Sequence, residues 1–363
     1  MKLKRILALL LALALTLALV GCRKTGGDPT PTPSDSPAPT GTAEPSPSGT
    51  PDVTPEPTSS GSGERTAVRL AVLSGPTGVG AAKLLSEADA GTAANDYQYV
   101  IAADNSELVA GLTKGEIDIA AVASNVALNL YNKTGGGVKI IALGTRGVLH
   151  ILEGRGGASI QSVADLAGRT IYSPGQGANP EYILRYLLQQ NGLDPDKDVN
   201  LVFADASEIN AKLVSGDIDC AMLPVPAATA AILKGDGQVR EAIDVTEAWD
   251  GLDSGSELIM TAVVARTEFV EAHPEAVNAF LAEYAASIDY VNSNVDEAAG
   301  LIAGYGITPN AAIAKQAIPQ CHLVFISGAD MAEAISDYFM VLYEVDPASV
   351  GGALPDDAIY YVP

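Results

Sequence analysis

The 363-residue chain carries 44 Asp and Glu against 21 Lys and Arg, a formal charge of −23, and loss of the three cations before Cys22 would leave −26. Such a surface repels polyphosphate, which disfavours nucleic acid as a partner. Hydrophobic residues make up 47% of the chain, as in folded proteins. Three cysteines cannot build a disulfide scaffold, and three histidines leave little material for a metal centre. We therefore expect an acidic globular protein without a metal.

A short apolar segment lies at the N-terminus. Residues 6–20 follow three cations and are apolar except for Thr16. This run is too short to span a bilayer but suits the core of a signal peptide. It ends in Leu19-Val20-Gly21-Cys22, which resembles the lipobox of bacterial lipoproteins. The resemblance implies that residues 1–21 are removed and that Cys22 carries the lipid anchor. An ordinary signal peptide with an incidental cysteine is the alternative.

The next segment has a different composition. Ten of the 22 prolines lie between Pro29 and Pro57, mixed with Ser, Thr, Gly and Asp. This composition cannot bury enough apolar area to fold, and proline favours extended chain. We interpret residues 22–65 as a tether that holds a folded region away from the membrane; a processing spacer is the alternative.

From residue 66 onward, short β-branched runs alternate with amphipathic helical stretches, the pattern of an α/β fold. Residues 68–73 predict a strand, followed by a Gly/Pro loop and a helix over 81–87. Residues 169–172 predict a second such strand, with a Gly-rich loop and a helix over 181–190. After Arg266 the chain is predicted to be almost wholly helical.

The same unit occurs twice in this region. Residues 103–127 and 204–228, offset by 101 positions, are identical at eleven of 25 sites. In each copy Asp and Ser are predicted to cap a short helix, Gly115 or Gly216 to end it, and a strand to follow. Asp118 and Asp219 occupy equivalent positions, where turn or strand ends are a better interpretation than acid–base catalysis.

Four loops follow predicted strands, where open α/β sheets bind their ligands. If the two halves face each other, these loops would line one cleft; ordinary βα turns are the alternative for any single loop. The candidate residues are Ser74, Gly75, Pro76, Thr77 and Gly78, then Ser124 and Asn125, then Gly175, Gln176, Gly177 and Asn179, and finally Pro224 and Pro226.

Two apolar runs are predicted to connect the halves. Residues 139–152 leave the first half through Arg146-Gly147, and residues 257–265 return to it. Two crossings make a hinge that permits closure around a ligand. We therefore predict one lobe from residues 66–147 and 258–363, which includes the C-terminal helices, and a second lobe from residues 148–257.

These features together resemble a known family. The segments Leu73–Gly78, the paired Gly-Asp/Glu-Ile-Asp units, Val163–Ile171 and Pro274–Val277 are similar to those of the NMT1/THI5-like and sulfonate/nitrate/taurine group of ABC-transporter substrate-binding proteins. The resemblance covers about residues 68–345. It implies a type 2 periplasmic-binding-protein fold with two lobes joined by two crossover strands. It also implies delivery of a small ligand to a membrane permease driven by a cytoplasmic ATPase.

Members of this group bind thiamine-precursor pyrimidines, other heterocycles, sulfonates or nitrate. For an anion, the helix N-termini near Thr77 and Gly177 and the charge of Arg146 are the candidates. For a flat heterocycle, Tyr172 or Trp249 is the candidate for stacking, although Trp249 is also the kind of residue that anchors packing. The lipid anchor would suit a Gram-positive or other cell-surface receptor, and we expect a monomer on the extracellular face of the cytoplasmic membrane.

The sequence gives little support to an enzyme. It contains no Gly-Lys-Ser/Thr phosphate loop, Gly-x-Ser-x-Gly or His-Glu-x-x-His motif, and we expect no catalytic residue and no cofactor. His150 lies in an apolar strand and is predicted to be a hydrogen-bonded core residue. Cys220 and Cys321 are predicted to be buried free thiols, because a bond between the lobes would oppose hinge motion. A surface lipoprotein that senses or adheres without transport remains an alternative, as does a fold-sharing enzyme.

Overall fold

A computed structural model describes residues 65–252 and 254–363, and these fold as mixed α/β structure around two sheets. The predicted signal peptide, Cys22 and all of the tether except Arg65 lie outside the described residues. Among the helices of the described part, none combines the length and the apolar character needed to cross a bilayer.

The strands of this region, in chain order, occupy the following positions. They are β1 (Ala67–Leu73), β2 (Asp96–Ala102), β3 (Ile119–Ala123), β4 (Val138–Thr145), β5 (Leu149–Glu153), β6 (Thr170–Ser173), β7 (Asn200–Phe203), β8 (Cys220–Pro224), β9 (Arg240–Asp244), β10 (Thr261–Arg266) and β11 (Leu323–Ile326).

The α-helices of the same region lie between and after these strands. They are α1 (Pro76–Asp89), α2 (Asn105–Lys114), α3 (Ser124–Thr134), α4 (Asn179–Gln190), α5 (Ala206–Ser215), α6 (Ala227–Lys234), α7 (Val245–Asp250), α8 (Thr267–Ala272), α9 (Pro274–Ser293), α10 (Val295–Gly304), α11 (Ala311–Ala317) and α12 (Asp330–Val345).

The two sheets repeat one arrangement. The first has the order β2-β1-β3-β10-β4-β11, and the second has the order β7-β6-β8-β5-β9. In each, a central strand pairs in parallel with two neighbours, β1 with β2 and β3, and β6 with β7 and β8. An antiparallel strand, β10 or β5, then extends the sheet. The predicted duplication is thus matched over five strands of each sheet, and β11 is an additional strand at the edge of the first sheet.

Each antiparallel strand enters its sheet directly after the chain crosses from the other half. The segment 146–148 connects β4 to β5, and the segment that ends at Met260 leads into β10. The two crossings lie side by side, because Met260 donates its backbone N–H to the carbonyl of Thr145 at 3.0 Å. Gly147 lies in the first crossing, where a Cβ would fall 2.1 Å from Oγ1 of Thr246, so close packing requires glycine there.

The helix ends of the repeat follow the predicted pattern with one difference. Gly115 and Gly216 have φ of 73° and 78°, the left-handed conformation that ends α2 and α5. Asp104 caps α2 by accepting the N–H of Ser106 at 2.7 Å. Asp205 is the N-cap residue of α5, but its side chain makes no capping hydrogen bond. The predicted cap is therefore correct in the first copy and wrong in the second.

Two helices begin earlier than the sequence predicts. Helix α1 starts at Pro76 instead of residue 81, because proline at the first helical position has its φ preset and loses no hydrogen bond. Helix α4 starts at Asn179 with Pro180 beside it, for the same reason. The first turns of α1 and α4 therefore lie within segments that the sequence analysis assigns to loops. The strand β11 was not predicted, since its four residues lie between helical segments.

The C-terminal helices cover both halves. Helix α9 packs on α1, where the hydroxyl of Ser287 donates to the carbonyl of Gly80 at 2.7 Å and accepts the N–H of Leu84 at 3.2 Å. Helix α12 reaches the second half, where Tyr338 lies 5.8 Å from the ring of Trp249. All of these side chains and backbone groups belong to the buried core.

Candidate ligand cleft

A cavity of about 380 Å³ lies between the two sheets, at the carboxyl ends of the parallel strands. Each wall comes from one half of the molecule, and the floor comes from the two crossing segments. The lining residues after β1 and β2 are Leu73–Thr77 and Ala103–Asn105; those after β6, β7 and β8 are Pro174, Gly175, Ala178–Pro180, Ala204–Ser207 and Pro224; the crossings supply Val148, Leu149, Met260 and Thr261, and β3 supplies Ala123.

A second cavity of about 570 Å³ adjoins the first. The two share Ser74 and Gly75 on one side and Ala206, Ser207 and Pro224 on the other. The second cavity extends over Pro226 and Lys234 towards Ile307. Because the walls are shared, the two cavities form one cleft.

Three of the four predicted loops contribute to this cleft. Ser74–Thr77, Gly175 with Asn179, and Pro224 line the first cavity, and Pro226 lines the second. Gly78, Gln176 and Gly177 belong to the same loops but not to the cavity walls. The ligand-binding role of all these residues stays a prediction.

The start of α1 is held in the cleft wall by local contacts. The N–H of Leu73 donates to Oγ1 of Thr77 at 2.9 Å, and that hydroxyl also donates to the Leu73 carbonyl at 3.3 Å. A Cβ at Gly78 would lie 2.6 Å from the same carbonyl oxygen, so only glycine permits this close approach. Strand β1 therefore fixes the N-terminus of α1 against the cavity.

The remaining predicted loop, Ser124–Asn125, lies outside the cavity walls and joins the two halves. Nδ2 of Asn179 donates to Oγ of Ser124 at 3.0 Å and to the carbonyl of Met260 at 2.7 Å. Nδ2 of Asn125 donates to the carbonyl of Gly177 at 3.3 Å. Both asparagines are fully buried, and neither Oδ1 has a hydrogen-bond partner. Two predicted loops thus contact each other behind the cleft.

Three other predicted ligand residues lie away from both cavities. Arg146 is half-exposed and pairs with Glu257 at 3.1 Å. Tyr172 is half-buried under the ammonium of Lys212, 5.9 Å from its ring centre. Trp249 is fully buried in the second half, and its Nε1 donates to the carbonyl of Ser256 at 2.9 Å. The packing interpretation of Trp249 agrees with this position.

Two carboxylates in the cleft were not predicted as site residues. Asp104 and Asp205 are the charged residues among those that line the first cavity. The hydrogen bond from Ser106 lowers the pKa of Asp104, so this carboxyl stays ionised. The repeat contained the necessary signal, since these two residues are a matched pair at the start of both copies.

The other paired acids have a structural role. Asp118 is buried and accepts hydrogen bonds from the backbone and guanidinium of Arg69 and from Arg266. Burial opposes ionisation, but the Arg69 hydrogen bonds outweigh it and lower the pKa of Asp118. Asp219 is about half-exposed, with the guanidinium of Arg169 3.9 Å away. The interpretation of these residues as structural agrees with these contacts.

The cysteines and the buried histidine give one confirmed and one wrong prediction. Cys220 and Cys321 are buried free thiols, as predicted, and burial raises the pKa of each to about 12. His150 is buried in the core, as predicted, but neither ring nitrogen makes a hydrogen bond, so the expected hydrogen bonding is wrong. Nδ1 lies 3.1 Å from Oε2 of Glu241 on the neighbouring strand.

Comparison with known proteins identifies the family and the fold. The sequence model of the NMT1/THI5-like family matches residues 96–298. A comparison with curated sequences gave no significant match. An ABC transporter structure from Parabacteroides distasonis is 24% identical, with a TM-score of 0.67 over 82% of this chain and 99% of that one. The periplasmic aliphatic sulphonate binding protein of Escherichia coli is 18% identical, with a TM-score of 0.64 over 83% and 93%.

A third solved structure agrees with these two. The alkanesulfonate-binding protein of Xanthomonas axonopodis, bound to MOPS, is 16% identical, with a TM-score of 0.63 over 81% of this chain and 96% of that one. The family match covers more than half of the chain, and the structures cover the duplicated sheets. The chain therefore belongs to the NMT1/THI5-like family and has the type 2 periplasmic-binding-protein fold.

Proposed function

We propose that this chain is the solute-binding lipoprotein of an ABC importer, which captures a small organic molecule and delivers it to a permease. The observation that supports this most strongly is the cavity between the two sheets, because both copies of the repeated unit contribute matched walls to it. A volume of about 380 Å³ lies within the usual range for small-molecule sites. Family membership and fold agree with a binding role.

Ligand capture in this proposal depends on hinge closure between two lobes. One lobe comprises residues 66–147 and 258–363, and the other comprises residues 148–257. The crossings meet where Met260 bonds to Thr145, and the contact between Asn179 and Ser124 joins the lobes beside the cavity. A ligand held between the walls would stabilise the closed form, since only that form offers contacts from both sides.

Position outside the cell follows from the N-terminal sequence. Residues 1–21 serve as the signal peptide, Cys22 carries the lipid, and residues 22–65 form the tether. The protein would then work as a monomer on the outer face of the cytoplasmic membrane, where permease and ATPase complete the importer. A Gram-positive cell suits this arrangement.

The charges around the cleft favour a neutral ligand over an anion. Helices α1, α2, α4 and α5 all begin at the cavity, and each N-terminus carries about half a positive elementary charge. The carboxyl groups of Asp104 and Asp205 add two formal negative charges at the same place, which offset the four helix ends. No Lys or Arg is among the residues that line the first cavity in the described chain. A sulfonate or nitrate in the first cavity would therefore lack a cationic side chain, and Lys234 lies only in the second cavity.

A flat heterocycle with N–H donors, such as an aminopyrimidine, fits this lining best. Asp205 lies in the cavity wall without a capping hydrogen bond, so its carboxylate is available to accept from a ligand. Most of the remaining wall is apolar, with Leu73, Leu149 and Met260 available to cover the faces of a ring. Carboxylate and apolar walls together suit pyrimidines better than sulfonates.

Thermal unfolding of the protein with pyrimidines, alkanesulfonates and nitrate tests the proposal. A true ligand at about 100 times its dissociation constant adds ~2.7 kcal/mol to the free energy of unfolding and raises the midpoint. We expect stabilisation by pyrimidines, which Asp205→Asn weakens and the exposed control Asp289→Asn leaves unchanged. A flat response to every class would refute solute capture, whereas a response to sulfonates alone would refute only the ligand class.

A further inference from the structure

A cluster of three metal-ligating side chains lies in the second sheet, outside the cleft. His150 in β5 stands opposite Asp244 in the register of β5 with β9, and Glu241 lies on β9 as well. Their ligand atoms all lie within 4.8 Å of one another. We propose that His150, Glu241 and Asp244 bind a zinc ion. The small number of histidines in the sequence does not prevent this, because two carboxylates complete the set.

The imidazole of His150 is the first argument for a ligand. The residue is 5% exposed, and neither Nδ1 nor Nε2 has a hydrogen-bond partner. Buried polar groups in native proteins nearly always have a partner, because an unpaired one keeps its full desolvation cost. A cation bound to the ring nitrogen would supply the missing interaction.

The contact between His150 and Glu241 is the second argument. Nδ1 lies 3.1 Å from Oε2 of Glu241, yet the two atoms are not aligned as a hydrogen bond. Zinc holds nitrogen and oxygen at about 2.0–2.2 Å, so two ligands at a tetrahedral angle are about 3.4 Å apart. The observed distance from Nδ1 to Oε2 is within a few tenths of an ångström of this expected distance between two ligand atoms. A shared cation explains a short contact that a hydrogen bond does not.

Asp244 can supply the third ligand without losing its other role. Its Oδ1 caps α7 by accepting the N–H groups of Thr246 at 2.7 Å and Glu247 at 3.2 Å. Both bonds are to Oδ1, which leaves Oδ2 for the metal. The cap also fixes the orientation of the carboxylate, as hydrogen bonds around metal ligands generally do.

The site reaches solvent through the exposed Glu241. Strand β9 is an edge strand of its sheet, and the side chain of Glu241 is 42% exposed. Zinc sites with three protein ligands take water in the fourth position. Nε2 of His150 lacks the outer hydrogen bond that raises ligand basicity, so we expect weaker affinity than in structural zinc sites.

A bound ion would stiffen the second lobe near the hinge. It would connect β5, which directly follows the first crossing, to β9 and to the start of α7. Thr246 of α7 packs against Gly147 in that crossing. Zinc would therefore raise the thermal midpoint whether or not the cleft is occupied.

Zinc titration of the full-length chain by calorimetry at neutral pH tests the proposal. Every sample carries Cys22→Ser, since that thiol would otherwise bind zinc. The test variants are His150→Gln and Glu241→Gln, and the matched control is His273→Gln at an exposed position on the first lobe. Cobalt serves as a second probe, because tetrahedral coordination gives it strong visible absorption.

We expect one zinc per chain, with affinity at least about tenfold lower in both test variants and unchanged in His273→Gln. Zinc should raise the unfolding midpoint of the parent and control only. The proposal is wrong if the parent binds no zinc, or if both test variants bind it as tightly as the control. If His150→Gln fails to fold, Glu241→Gln decides the matter, because its half-exposed side chain is not needed for packing.

Discussion

The carboxylate of Glu153 should make the second lobe sensitive to acid. Glu153 ends β5 and is 2% exposed. It accepts hydrogen bonds from the backbone and hydroxyl of Ser159, from the N–H of Ile160 and from the guanidinium of Arg240. Burial alone would raise its pKa, but these bonds outweigh burial and lower the pKa of Glu153 to about 2. The group therefore stabilises the fold only while it is ionised.

The size of this effect follows from the pKa shift. The ordinary value of 4.5 falls to about 2, and each unit corresponds to ~1.4 kcal/mol, so ionised Glu153 contributes on the order of 3 kcal/mol. The pKa of Glu153 is lower in the folded state than in the unfolded state. Between pH 4.5 and about 2 the unfolded chain therefore binds a proton at Glu153 that the folded chain does not, and acid favours unfolding. The contribution is complete above about pH 4.5 and is lost as the pH falls towards 2.

Urea unfolding at neutral pH and at several acidic values measures this contribution. We expect Glu153→Gln to be about 3 kcal/mol less stable than the parent at neutral pH, since the buried partners lose their anion. The difference should shrink as the pH falls through the range from 4.5 to 2. Glu271→Gln, at an exposed site on α8, controls for loss of charge. The reasoning is refuted if the difference in stability between the parent and Glu153→Gln stays constant as the pH falls.

Three further changes test the packing around the cleft. Gly78→Ala should lower the free energy of unfolding by about 2 kcal/mol, because its Cβ would meet a backbone oxygen at 2.6 Å, whereas Gly75→Ala, which meets nothing within 4 Å, should be near neutral in the same melts. Trp249→Phe should cost about 2 kcal/mol in urea unfolding and leave ligand affinity unchanged, since the indole is fully buried outside the cavities. Asn179→Ala should lower stability by about 1–3 kcal/mol and also weaken ligand binding, because it removes two buried hydrogen bonds beside the cavity; calorimetry that finds either property unaffected would contradict this.

The sequence predicts the repeated unit well because its signals are local. Helix ends at Gly115 and Gly216 depend on the left-handed conformation of one residue, and the strands that follow depend on a short apolar run. The carboxyl ends of parallel strands share one edge of a sheet, so the position of the cleft also follows from element order. Three of four candidate loops accordingly reach the cavity walls.

The contacts between distant segments could not be predicted. The loop Ser124–Asn125 follows a strand like the others, but its partners are Gly177, Asn179 and the carbonyl of Ser349, up to 224 positions away. No local pattern distinguishes a loop that lines a cavity from one that bonds to the opposite lobe. The same limit applies to Trp249, whose aromatic neighbours come from α4 and α12.

The pair of Asp104 and Asp205 illustrates a limit of a different kind. A capping residue and a ligand-binding carboxylate have the same residue type at the same position, so the sequence assigns both aspartates to capping. The geometry separates them, since Asp104 holds Ser106 while Asp205 makes no capping bond. A duplicated fold permits this difference, because each copy needs its helix but the cleft needs only one free acceptor. If the proposed function is right, the uncapped aspartate of the second copy would accept from the ligand, and the first copy would contribute mainly the opposing wall.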